Sequence, residues 1–251
     1  MEDENALYFG SINTLSANFG STIFYSLDNG ATWEQYTASK MTSQNTPILL
    51  DMGSKVLFKT MNSVNHYDHF YLNKTFKTYG NVMSLIYGDE FIGQNNLNGI
   101  DHAFDRLFYG NGNLIDASNL ILPATTLTNY CYQDMFMNCT SLTTAPELPA
   151  TTLAEYCYYY MFQGCSGLTA APVLPASTLI KGCYSYMFKN CSSLNYVKVM
   201  GINAFLISAT DDWLDGVSST GTFIKASGAD WGWNRTSSLI PSGWTVETAS
   251  A

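Results

Sequence analysis

A block of 26 residues occurs three times in succession in the second half of the chain, starting at Leu122, Leu148 and Leu174. Eleven positions are identical in all three copies, and nearly all of them are apolar or small, whereas most of the changing positions are polar. A fixed period of about 20 to 50 residues is typical of folds in which copies stack on one another. The shared positions would then face neighbouring copies and the variable ones would face water.

The spacing within a copy predicts a helix. Apolar residues recur four apart, as in Leu153, Cys157 and Met161, and a proline precedes each run. Residues 168–171, after the second cysteine, predict a short extended segment. A degenerate copy over residues 100–121 comes before the three and has Asn111 in place of the second cysteine. An atypical first copy is expected where a stack must be capped.

The repeat string LPATTL, YCY, MF, C, SLTTAPELPATTL and the ending GTFIK, IPSGWTVE over residues 221–247 resemble the BspA-like leucine-rich-repeat surface proteins of Bacteroides-type bacteria. The resemblance spans roughly the second half of the chain, and YSLDNGATW and KVLFK are similar to the openings of such proteins. It implies a leucine-rich-repeat fold with a C-terminal cap. Known members are mostly cell-surface binding proteins, some of them adhesins for host matrix proteins.

The first part of the chain contains no repeat and predicts antiparallel strands. Residues 22–27, the turn at Asp28-Asn29-Gly30 and the return at Thr32-Trp33 predict a hairpin with Trp33 packed beneath it. Further strands are predicted at residues 48–50, 55–59, 70–72 and 82–86. The hairpin sequence also matches the Asp-box of sialidases, which is structural in those enzymes. A single copy here favours a plain hairpin in which the Asp28 side chain caps the turn.

Together these patterns predict an α+β fold with three parts. Residues 1–88 form an antiparallel β domain resembling a sandwich. Residues 89–200 form a leucine-rich-repeat α/β solenoid of about four coils, namely the degenerate coil 100–121 and the repeats 122–147, 148–173 and 174–199. Residues 201–251 form a C-terminal β cap.

Composition limits the partners. The chain has a net charge of −9 and a pI near 4.6, and no basic patch interrupts its sequence, so nucleic acid and anionic membrane surfaces are disfavoured. No apolar stretch approaches membrane-spanning length, so no membrane insertion is expected. The first ten residues are acidic and do not resemble a signal peptide. A surface location would need an export signal upstream of Met1.

The six cysteines occupy two repeat positions, and we expect reduced, buried thiols. Cysteines eight residues apart on a helix, or facing one another on packed helices, are too far apart for a disulfide. Their spacing also fits no zinc site, and no cofactor is predicted. With the shared methionines and phenylalanines and with Trp33 of the hairpin they form the predicted structural set: Cys131, Cys139, Cys157, Cys165, Cys183, Cys191, Met135, Met161, Met187, Phe136, Phe162, Phe188 and Trp33.

Aromatic residues outside the shared positions are the candidate binding residues. Tyr159, Tyr160 and Tyr186 occupy positions that hold Gln, Ser or Asp in other copies, so the stack does not require them. Tyrosine supplies contact area at low entropic cost, although an ordinary half-exposed face is the equal alternative. Trp231 and Trp233 lie in a Gly/Asn-rich stretch and are the tryptophans expected to be exposed. The alternative is that the late tryptophans seal the open end of the stack.

Two clusters of histidine or acidic residues contain the side-chain types of a metal site. His66, Asp68 and His69 lie within four residues, but on a strand His69 points away from the other two, which favours a polar loop or strand edge. Asp211, Asp212 and Asp215 lack the ligand alternation of a calcium loop and favour a solvated acidic turn. No metal site is therefore predicted.

These observations predict a non-enzymatic recognition or adhesion protein that binds a protein or glycan partner at a bacterial cell surface. The alternative is a bacteriophage or prophage virion protein that decorates the particle or contacts the host, with other subunits of its assembly as partners. A glycan-active enzyme is a third hypothesis, and it would need two carboxylates brought together in a cleft.

Overall fold

The structure is a computed structural model that describes residues 6–10, 14–18, 22–36, 48–49, 55–60, 69–72, 74–97, 99–202, 208–231 and 240–250. Its regular elements are almost all strands. In chain order they are β1 (Leu7–Gly10), β2 (Thr14–Asn18), β3 (Ile23–Ser26), β4 (Glu34–Tyr36), β5 (Ile48–Leu49), β6 (Val56–Thr60), β7 (His69–Leu72), β8 (Phe76–Asn81), α1 (Ser84–Tyr87), a 3-10 turn (Gly88–Glu90), β9 (Leu114–Ile121), β10 (Tyr196–Val199), β11 (Gly221–Lys225) and β12 (Trp244–Thr248).

The strands form three open sheets. The largest has the order β4-β3-β6-β1-β8-β9, with antiparallel neighbours except for the parallel pair β8 and β9. A small antiparallel sheet has the order β5-β2-β7, and β10, β11 and β12 form a parallel sheet. Four of the strands predicted in the first part of the chain lie at β3, β5, β6 and β7. The strand predicted at residues 82–86 is wrong, because α1 begins there at Ser84.

The hairpin between β3 and β4 is held by one carboxylate. Asp28 accepts hydrogen bonds from the Thr32 hydroxyl at 2.6 Å and the Thr32 N–H at 2.8 Å, and Asn29 and Gly30 both have positive φ. The bonds from Thr32, with that from Ser26, lower the pKa of Asp28 to about 2. Trp33 is half-buried, and the Lys59 ammonium lies 4.2 Å from its ring centroid.

The fold class expected from the sequence, with its α/β leucine-rich-repeat solenoid, is wrong. Among the described residues α1 is the one α-helix, and it lies outside the repeats. Each repeat copy is instead a run of turns, in which every fourth residue has a left-handed backbone. In the first copy these are Tyr130, Asp134 and Asn138, with φ of 56°, 52° and 62°.

Backbone hydrogen bonding explains why the helical spacing misled. Alternate N–H groups donate to the next copy, as from Tyr132 to Cys157 O at 2.9 Å, and the groups between them close local turns, as from Gln133 to Tyr130 O at 3.1 Å. The run of turns therefore repeats every four residues, and so do its inward-facing side chains. A spacing of four is shared by this ribbon and by a helix, and periodicity alone does not separate them.

Register between copies places like side chains on top of one another. Tyr132, Tyr158 and Tyr184 stack with ring centroids 5.6 and 5.9 Å apart, and the shared phenylalanines stack beside them at 5.3 and 5.6 Å. At the far end, Trp213 stacks on Tyr184 and Trp231 stacks on Trp213. The twelve repeat residues of the predicted structural set are fully buried, whereas its remaining member, Trp33, is half-buried.

Asn111 joins the repeats to the first part of the chain. It occupies the position of the second cysteine, whose thiol in the later copies donates to a phenylalanine carbonyl of the preceding copy, as from Cys139 to Phe108 O at 3.1 Å. The Asn111 amide instead donates to Phe70 O and accepts from Leu72 N–H, both in β7. The apolar cores of the two parts are continuous across this junction. The predicted boundaries between the three parts of the chain stay predictions.

Replacing Met161 with alanine tests the shared positions as core. The side chain is fully buried, so the variant should lose about 2–5 kcal/mol of unfolding free energy through lost contacts and a residual cavity. Urea denaturation followed by circular dichroism measures the loss. A loss below about 1 kcal/mol would show that this position is not in the core.

The six thiols should be unreactive in the folded protein. All are free and buried, and burial raises the pKa of Cys131, Cys183 and Cys191 to about 12. The thiolate is the reactive form, so an aromatic disulfide reagent at pH 8 should modify none of the six until denaturant is added. Rapid modification of the native protein would contradict this burial.

Candidate recognition surface

Five tyrosines from neighbouring copies form one partly exposed surface, here called the tyrosine face. Their ring centroids are separated by 4.3 to 5.6 Å from one ring to the next. The members are Tyr130, Tyr156, Tyr159, Tyr160 and Tyr186.

The rings form two stacks with one ring set across them. His102, Tyr130 and Tyr156 stack at 4.7 and 5.0 Å with interplanar angles of 3° and 5°. Tyr160 and Tyr186 stack at 4.6 Å. Tyr159 lies between the stacks, with its plane steeply inclined to those of Tyr156, Tyr160 and Tyr186. The face is thus a single array of touching rings.

Four of the five tyrosines have a backbone conformation that tyrosine avoids. Tyr130, Tyr156, Tyr160 and Tyr186 have φ between 55° and 58°. The left-handed region costs an L-residue with a bulky side chain about 1–2 kcal/mol, and glycine, asparagine and aspartate tolerate it better. The position of Tyr130 and Tyr156 holds Gly182 in the third copy, and the position of Tyr160 and Tyr186 holds Asp134 in the first. The chain therefore places tyrosine where its own repeat accepts a less strained residue, and such strain is typical of functional positions.

Ionic pairs flank the tyrosine face at both ends. Before the first copy Arg106 Nε contacts Asp134 Oδ2 at 3.1 Å, and beside this pair His102 Nδ1 lies within hydrogen-bond distance of Asp105 Oδ2, at 3.2 Å. At the last copy Lys189 Nζ contacts Asp212 at 3.0 Å and Asp215 at 3.3 Å. Lys181 also borders the face, with its Nζ 5.5 Å from the Tyr156 ring centroid. The side chains that lie between these charges are phenol rings.

The phenols of Tyr159 and Tyr186 remain protonated at neutral pH. Burial raises the pKa of Tyr159, as does its hydrogen bond with Tyr160. Burial also raises the pKa of Tyr186, and the charges of Asp212 and Asp211 add to this effect. Burial likewise raises the pKa of Asp105 above that of an ordinary aspartate, while His102 and Arg106 oppose the shift. Tyr159 and Tyr186 therefore present neutral hydroxyl groups on the tyrosine face.

The sequence prediction located part of this surface. The three predicted binding tyrosines, Tyr159, Tyr160 and Tyr186, contact one another and belong to one face. Tyr130 and Tyr156 were missed, although both stand just before the first cysteine of their copies, at a position the third copy does not share. That variability was the available signal.

The expectation that Trp231 is exposed is wrong. Its side chain is 3% exposed, it stacks on Trp213 at 5.4 Å, and its indole N–H donates to Gly201 O at 3.1 Å. Trp213 and Trp244 are buried as well, which agrees with the alternative that tryptophans seal the end of the stack. Trp233 lies outside the described residues.

Neither metal hypothesis gains support. His66 and Asp68 lie outside the described residues, and His69 is in β7. Asp212 and Asp215 are bound by Lys189, and no group of three or more metal-ligating side chains occurs in the described part of the chain.

Two grooves flank the proline-containing segment 145–149. Their volumes are about 300 and 470 Å³, and the larger lies between this segment and residues 171–175. Pro146 and Pro172 have no N–H, and no backbone hydrogen bond joins these two described segments. The equivalent segment at the end of the third copy, residues 196–199, contains no proline. Backbone hydrogen bonds form there, as from Leu174 N–H to Lys198 O at 3.0 Å. Glu147 is the one carboxylate in either groove, so neither contains the pair needed for glycoside hydrolysis.

No protein-family model, curated protein or solved structure matches the chain. The resemblance to BspA-like surface proteins therefore stays a prediction. Within the described residues, no helix has both the length and the apolar character needed to cross a membrane.

Replacing Tyr160 with asparagine tests whether this tyrosine is needed for stability. Asparagine tolerates the left-handed backbone, which offsets the lost ring contacts of about 0.5–1.5 kcal/mol, so the unfolding free energy should stay within about 1 kcal/mol of wild type. Tyr158→Asn is the matched control, because that neighbouring ring is fully buried and should cost about 3 kcal/mol or more. Equal losses in urea denaturation would make Tyr160 a structural residue.

Proposed function

We propose that this chain is a non-enzymatic recognition protein that binds its partner through the tyrosine face. The observation behind the proposal is the left-handed backbone of Tyr130, Tyr156, Tyr160 and Tyr186. A strained backbone lowers the stability of the fold. A large, partly exposed aromatic side chain at such a position therefore favours a role in binding. Tyrosine is also enriched among the residues that dominate binding energy at interfaces.

A surface of stacked copies suits recognition in a second way. Backbone bonds from copy to copy hold each left-handed position in place, as from Tyr160 N–H to Ser185 O at 3.2 Å. The tyrosines are therefore positioned before a partner arrives, which lowers the entropic cost of association. A protein or glycan partner at a bacterial cell surface agrees with the resemblance to BspA-like surface proteins, and we include that setting in the proposal.

The test is binding of the purified protein to an array of glycans and host matrix proteins, including fibronectin and fibrinogen. The variant is Tyr160→Asn/Tyr186→Asn, which keeps residues that tolerate the left-handed backbone. Loss of contact area at the centre of an interface should weaken binding about 30-fold or more, the effect of an interface residue worth 2 kcal/mol.

Tyr71→Asn is the matched control, since Tyr71 is 51% exposed on β7, outside the tyrosine face. It should bind as wild type does. Circular dichroism and thermal melting check that each variant is folded. Array signals that survive in the folded double variant would refute the tyrosine face as the binding site.

A further inference from the structure

We infer that the partner of the tyrosine face is a polypeptide segment in the polyproline II conformation, a proline-rich stretch in which the backbone carbonyls are unpaired. This inference rests on the proposed function and narrows it from a protein or glycan to one class of ligand. Three observations lead to it, namely which part of each ring is open, how far apart the rings are, and how the nearby charges are paired.

The ring faces are already used within the protein. Tyr130 has His102 on one face and Tyr156 on the other, both nearly parallel. The far face of Tyr156 lies against Gly182, where an added Cβ would be 2.3 Å from the ring. Because both faces are covered, the exposed part of these side chains is the ring edge with its hydroxyl. Sugars stack on open aromatic faces, so this arrangement disfavours a glycan.

Ring edges and phenol hydroxyls suit carbonyl acceptors. The edge of an aromatic ring is its positive part, and a protonated phenol donates a hydrogen bond. A polyproline II segment has no internal hydrogen bonds, so its carbonyls are available, and its ordering cost is low because the conformation is already populated when free. Proline-rich segments are known to dock on surfaces lined by aromatic side chains.

The spacing of the rings matches this conformation. In the stack of His102, Tyr130 and Tyr156, neighbouring ring centroids are 4.7 and 5.0 Å apart, so the centroids of His102 and Tyr156 are separated by about 10 Å. One turn of polyproline II contains three residues with a rise of 3.1 Å each, or about 9 Å. Like-facing groups of a β-strand recur at about 6.6 Å, which matches neither one ring step nor two.

Two of the cations around the face are already paired. Arg106 is paired with Asp134, and Lys189 with Asp212 and Asp215, so a charged peptide would compete with an existing pair at both ends of the face, while Lys181 lies against the Tyr156 ring. A proline-rich segment needs no such exchange. Its carbonyls and apolar rings meet hydroxyls and ring edges, which is the chemistry that the face offers.

Isothermal titration with an oligoproline decamer tests the inference directly. A Gly/Ser decamer of equal length serves as the flexible control peptide, and a cello-oligosaccharide serves as the sugar probe. The protein should bind oligoproline and bind the other two at least tenfold more weakly. The double variant Tyr130→Phe/Tyr156→Phe keeps both rings and removes both hydroxyls, so affinity should fall by roughly 2- to 12-fold for each hydrogen bond lost.

Tyr71→Phe removes one hydroxyl away from the face and should leave oligoproline affinity unchanged. A second outcome would overturn the ligand class and leave the proposed function standing. In it, oligoproline does not bind, but the sugar or an array protein without proline-rich segments binds in a way that depends on the tyrosine face. If no array component or probe shows binding that depends on these tyrosines, both proposals fail.

Discussion

The register of backbone hydrogen bonds between copies 26 residues apart determines most of this structure. Alternate N–H groups of one copy donate to the carbonyls of the next, as from Tyr132 to Cys157 and from Tyr158 to Cys183. This register places each side chain above its counterpart, so one position in the sequence becomes a column in space. The aromatic columns of the core and the columns of the tyrosine face follow from the same bonds, as does the strain at the left-handed positions, which those bonds hold in place.

The sequence identified which residues belong to the core but not the backbone that carries them. Identity across three copies selected Met161, Cys157 and their equivalents, and all are buried. The helix was wrong because a ribbon of turns and a helix both bring every fourth residue to one side. The distinguishing information lay in the residues at every fourth position, where Asn138, Gly164 and Asn190 tolerate positive φ. Glycine and asparagine destabilise the interior of a helix, whereas the left-handed positions of this ribbon favour them.

The candidate site was predicted in part for a related reason. Tyr159, Tyr160 and Tyr186 were found because they differ from their counterparts in other copies. Their neighbours Tyr130 and Tyr156 join the same face through contacts between copies that a linear sequence does not show. Trp231 was misjudged because glycine and asparagine around it indicated a surface loop, while the open end of the stack required a large apolar side chain.

The extent of the tyrosine face is limited by the residues that interrupt its columns. One stack ends at Tyr156, because the third copy has Gly182 at this position and the Tyr156 ring occupies the space that a Cβ there would need. Asp134 ends the other column, where it binds Arg106 instead of adding a third ring to Tyr160 and Tyr186. The five tyrosines therefore span the three repeat copies and no further, with ionic pairs on either side. A surface bounded in this way fits a short segment of a partner, because neither column continues along the stack to contact a longer one.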